Sequence, residues 1–219
     1  LVASGVAKWC GLHPVHFEGL PTLEIIPANI GYIIAIAILC ALVSILFCKS
    51  IKKTEILFDR IMPSRYIRAI VGGGIIVILT LALKTYDYNG AGMDIVEKAL
   101  NGTVRWEAFI LKIVFTAITI GAGFKGGEIV PAFFIGSTFG CVAGSLLGFD
   151  PSIAAAVGFV AVFCGVVNCP LASVFLAVEI FGTDSLLMFC IVCAVSYMMS
   201  GKSGLYKTQR ILYSKLDID

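Results

Sequence analysis

The run Gly121-Ala122-Gly123-Phe124-Lys125-Gly126-Gly127-Glu128-Ile129-Val130-Pro131 holds most of the chemistry this chain can do. Its glycines make a poor helix interior, each costing about 0.8–1 kcal/mol relative to Ala, but they let a backbone bend and approach a ligand closely. Pro131 suits the first turn of a helix, where its missing N–H would be unsatisfied in any case. A loop of this kind opening a helix leaves free N–H groups at the positive end of the helix dipole, which is a site for an anion. Beyond Pro131 the chain is apolar, with Gly136, Gly140, Gly144 and Gly148 recurring every four residues. That stripe lets a second helix approach closely in lipid, where packing holds helices together.

Other residues with chemical potential are weaker candidates. Lys112 lies in an apolar segment, where it either lines an aqueous path or snorkels to the interface. Glu179 lies in another such segment. His13 and His16 have no accompanying Cys or carboxylate cluster and read as loop histidines. Cys190 and Cys193 form a CxxC, but nothing nearby supplies a redox unit or a second ligand pair, so helix packing is the better reading. Gly72, Gly73 and Gly74 lack a following Gly-Lys-Ser/Thr and read as a place of close helix packing. The GxGxxG match at Gly121, Gly123 and Gly126 leads into a membrane-length apolar segment rather than a dinucleotide fold. No Ser-His or metal-ligand pair falls in the apolar segments, so neither an enzyme nor a cofactor is expected.

Composition fixes the class. Of the 219 residues 59% are hydrophobic and 14% charged, against roughly a quarter charged in an ordinary soluble domain. A net charge of +2 gives no reason to expect a nucleic-acid partner. Ile30–Cys48 nearly spans a ~30 Å hydrocarbon core. The Lys49, Lys52, Lys53, Arg60, Arg65 and Arg68 cluster then predicts a short cytoplasmic loop. Ala69–Leu83 follows, and Asn89-Gly90-Ala91-Gly92 predicts a turn into a short amphipathic helix, Met93–Leu100. Phe109–Ile120, Ile153–Val167, Leu171–Phe181 and Leu186–Met199 are further apolar helices, with Asp150 or Ser152 placed to cap the second of these. Several are too short to cross a membrane alone. Short segments broken by Gly and Pro indicate a transporter or channel interior.

Gly126-Gly127-Glu128-Ile129-Val130-Pro131 resembles the signature of the CLC family of chloride channels and anion/proton antiporters. Asn89-Gly90-Ala91-Gly92, Asn168-Cys169-Pro170-Leu171-Ala172 leading to Glu179, and Gly204-Leu205-Tyr206 resemble further segments of that family, in the same order. The resemblance implies an all-α polytopic membrane protein with broken and re-entrant helices, the second inverted-repeat half of a CLC-type fold. Residues 1–219 are then expected to form the C-terminal half of the transport domain, the first half lying outside this chain.

The resemblance also implies the site. An anion would be bound by the backbone amides of Glu128 and Ile129 and by the Tyr206 hydroxyl. Ile129 replaces the family's usual Phe. An acid at position 128 is similar to the fluoride-exporting branch, although that branch typically has a hydroxyl residue where this chain has Val130. Chloride is the expected ion and fluoride the alternative, with a non-transporting structural fragment as a further reading. The bland alternative for Glu128 is a carboxylate turned toward Lys125 or water, and Glu179 is expected to be structural. A homodimer in the lipid bilayer is implied, its interface formed by Ile30–Cys48, Leu171–Phe181 and Leu186–Met199. The implied location is multi-pass in a prokaryotic plasma membrane.

Overall fold

The computed structural model describes residues 2–11, 27–206, 209 and 215. Their regular structure is helical: α1 (Val2–Trp9), α2 (Pro27–Ile61), α3 (Arg65–Leu83), α4 (Met93–Leu100), α5 (Ala108–Gly121), α6 (Ile129–Leu147), α7 (Pro151–Val167), α8 (Pro170–Phe181) and α9 (Leu186–Met199). His13 and His16 lie outside the described residues.

The apolar all-round sequence of α7 predicts a buried helix, and every residue from Ile153 to Val166 is buried. Asp150 starts it, accepting hydrogen bonds from the Ser152 and Ile153 N–H groups at 2.8 and 3.1 Å. The glycine stripe of α6 lies against it. A Cβ on Gly136 would stand 2.3 Å from the Gly158 carbonyl oxygen, and one on Gly140 would stand 2.2 Å from that of Ala154. Gly148 takes no part in this contact; it ends α6 in the left-handed conformation, at φ 70°. Around this pair, Phe133 stacks on Phe159 at 4.2 Å, and Phe181 links Phe159 to Phe189.

α2 wraps the other side of α7, burying Ile36, Cys40, Ser44, Phe47 and Ile51 while Leu39, Leu42 and Leu46 stay exposed. This is the three-and-four spacing of an amphipathic face. α2 also corrects an expectation, because the basic cluster does not form a loop. The helix continues through Lys49, Lys52 and Lys53 to Ile61, and only Met62, Pro63 and Ser64 separate it from α3. Lys, Glu, Ile and Leu sustain a helix, and the break waits for Pro63. An Arg68–Asp59 ion pair ties the two helices together.

Of the three adjacent glycines in α3, Gly72 is the one at a close approach, its absent Cβ falling 2.2 Å from that of Ala122. Among the described residues, three helical stretches are long and apolar enough to cross a membrane, namely Asn29–Ile61, Arg65–Leu83 and Ile129–Leu147. α5, α7, α8 and α9 are apolar but shorter.

Candidate functional site

α5 stops at Gly121, where a side chain would meet Thr54 of α2 at 2.6 Å. Gly123 then reverses the chain at φ 93°, and α6 begins at Ile129 with Pro131 inside its first turn. The backbone N–H groups of Gly126, Gly127, Ile129 and Val130 have no acceptor among the described residues. Such orphan donors are expected at a helix start, and the residue preceding α6 does not cap it with its side chain.

The same loop walls a cavity of about 530 Å³ that also reaches Lys52 and Glu55 of α2 and Tyr206. Glu128 and Ile129 therefore share one space with Tyr206, which lies far along the chain. Glu128 is half-buried and Ile129 exposed. Lys125 is exposed and lies outside the cavity lining. The Tyr206 hydroxyl has no hydrogen-bond partner among the described residues. Glu179 is half-buried on α8 and does not line this cavity.

Tyr206 is placed by a polar clamp that sequence reasoning missed. Asn168 ends α7 in the left-handed conformation, at φ 57°. Its amide donates to the Ser203 carbonyl at 2.7 Å, and its side-chain oxygen accepts from the Ser200 hydroxyl at 3.3 Å and from the Lys215 ammonium. The Leu205 N–H donates to the Val166 carbonyl at 3.2 Å. Gly204 is required there, since a Cβ would lie 2.7 Å from the Asn168 amide nitrogen. The sequence signal was the Asn-Cys-Pro break itself, Asn being one of the few residues that tolerates the left-handed region.

Lys112 does not snorkel. It is 1% exposed, and its ammonium donates inward to the carbonyls of Gly90 at 2.7 Å and Tyr88 at 3.2 Å. The turn bends back over α5 and brings those carbonyls to the ammonium. Cys193 of the CxxC is buried while Cys190 is exposed, and no cluster of metal-ligating side chains occurs among the described residues.

The arrangement is that of an apolar helical protein with unsatisfied donors gathered at a helix start. The voltage-gated chloride channel family matches residues 1–201, and the chain belongs to this family, the CLC proteins. It is 34% identical to a chloride/fluoride channel protein of Pseudomonas syringae pv. tomato, over 98% of this chain and 49% of that protein. It is 25% identical to an uncharacterised protein of Methanocaldococcus jannaschii, over 78% of this chain and 44% of that one. The crystal structure of a CLC-type fluoride/proton antiporter superposes with a TM-score of 0.89 at 28% identity, covering 95% of this chain and 53% of the other. The chain spans about half the length of the curated relatives it matches. It is a membrane protein with a CLC-type fold.

Proposed function

We propose that this chain contributes to the transport of a small anion, chloride or fluoride, across a membrane, as part of a channel or an anion/proton antiporter. The carrying observation is the cavity that joins the start of α6, with its unpaired Ile129 N–H, to the Tyr206 hydroxyl. In this reading the amides of Glu128 and Ile129 and the Tyr206 hydroxyl hold the ion. Residues 1–219 supply the C-terminal half of a CLC-type transport domain, in a multi-pass homodimer that exposes α2, α8 and α9 to its partner. Leu171, Phe175 and Leu187 are large exposed apolar residues on α8 and α9, as such an interface needs.

Glu128 favours fluoride as the sharper choice. A carboxylate lining the cavity repels an anion, whereas a protonated carboxyl donates a hydrogen bond that suits a small hard ion. The names of the Pseudomonas relative and of the solved antiporter both include fluoride. Titration calorimetry on purified protein, with sodium fluoride and sodium chloride, tests the choice. Fluoride binding that weakens in Glu128→Gln supports fluoride; chloride binding indifferent to that change returns the proposal to chloride. Selective anion flux through liposomes containing this chain alone would contradict the half-domain reading.

A further inference from the structure

A smaller cavity of about 290 Å³ lies between α4, the turn before it and the start of α5, and no residue of the glycine loop lines it. Its walls include Ile95 and Val104, with Asp87, Tyr88, Lys98 and Arg105 as the groups that could hold a ligand. Neither the Lys98 ammonium nor the Asp87 carboxylate has an ion pair or hydrogen bond among the described residues. Glu107 takes the Nε and one terminal nitrogen of Arg105, at 2.7 and 2.5 Å. The other terminal nitrogen has no partner among the described residues. Charges of both signs thus line one cavity without pairing across it.

Tyr88 adds a buried donor. It is 4% exposed, its ring packs against Phe115 and Phe134, and its hydroxyl has no hydrogen-bond partner among the described residues. The charges that act on that hydroxyl are those of Arg105, Glu107 and Asp87, two of which line the cavity, so the hydroxyl is turned toward it. A buried hydroxyl left unpaired is costly. The surroundings place the cavity at a membrane boundary. It lies beyond Leu83, where the membrane-length helix α3 ends. Tyr86 and Trp106, the chain neighbours of Asp87 and Arg105, are exposed, and such rings sit at the level of lipid headgroups.

We infer that this cavity binds an aminoethyl phosphate group, carried either by a phosphatidylethanolamine headgroup or by free phosphoethanolamine. The Tyr88 hydroxyl, Lys98 and Arg105 meet the phosphate, and Asp87 meets the ammonium. Charged donors suit a phosphate oxygen, while a plain anion would leave Asp87 facing it unpaired. Native mass spectrometry of the delipidated protein in a maltoside detergent tests the inference. The probes are short-chain phosphatidylethanolamine, short-chain phosphatidylglycerol (a phosphate without an ammonium) and phosphoethanolamine.

The ethanolamine lipid should be retained about tenfold more tightly than the glycerol lipid, as one hydrogen bond to a charged group allows. Asp87→Asn should erase that preference, and Tyr88→Phe, which keeps the ring, should weaken ethanolamine binding about tenfold. Binding of the lipid but not of phosphoethanolamine, sensitive to both changes, supports the inference with the membrane as the source. Binding of phosphoethanolamine with the same sensitivity supports it without a need for acyl chains. Equal retention of the two lipids, ethanolamine binding that is unchanged in either variant, or no binding of either ethanolamine probe overturns it. Fluoride and chloride titrations of the two variants should match wild type, so the result is independent of the reading of the Tyr206 cavity.

Discussion

The two ends of α6 are built on opposite terms. From Gly136 to Gly144 its backbone lies against α7 so closely that no Cβ fits at three successive stripe positions. At Ile129 and Val130 the same helix leaves N–H groups without acceptors among the described residues, beside open space. The dry end fixes the helix; the open end presents donors that, in the proposed function, need not reorganise to meet an ion. Precision at one end lets the other remain unsatisfied.

Gly140 is where this contrast breaks most directly. A Gly140→Val side chain would clash with the Ala154 carbonyl, and an expected loss of ~4 kcal/mol should appear as a collapse of thermal stability in detergent. Next in size is the clamp on the Tyr206 segment. Asn168→Ala removes buried hydrogen bonds and places a Cβ-bearing residue without a side-chain anchor at positive φ, at a cost of about 2–3 kcal/mol. Asn168→Gly accepts the backbone conformation but lacks the amide. If the amide positions Tyr206, both variants lose anion affinity while Asn168→Gly keeps more of the thermal stability; retained affinity in Asn168→Gly would show that the backbone alone suffices.

A smaller effect belongs to the start of α7, where Asp150→Ala should cost ~1 kcal/mol in chemical unfolding and leave anion binding unchanged. The smallest lies in the exposed turn before α5. The Glu107 carboxyl is held below its ordinary 4.5 by a backbone hydrogen bond and then by Arg105. A depressed carboxyl stabilises the fold above pH 4.5 and loses that contribution as the pH falls through its lower folded value. Thermal melts of Glu107→Gln should therefore differ from wild type only slightly near neutral pH and converge with it in acid.

The helices were legible because apolar runs, Pro and Gly mark them directly, and the α6 stripe announced its own packing. The end of α2 was not, since charge suggested a loop while Lys, Glu and Leu favoured a continuous helix. The donors at the start of α6 could be read from the order of glycines and Pro131. The Asn168 clamp and the Lys112 contacts could not, because their partners lie 35 and 22 residues away and only the tertiary fold brings them together.

The measurement closest to the central claim is calorimetric titration of wild type and Tyr206→Phe with fluoride and chloride. Saturable binding of at least one ion, weakened about tenfold by loss of the hydroxyl, is the predicted result. Binding that is unchanged in Tyr206→Phe, or absent for both ions in wild type, would contradict an anion held between Tyr206 and the start of α6.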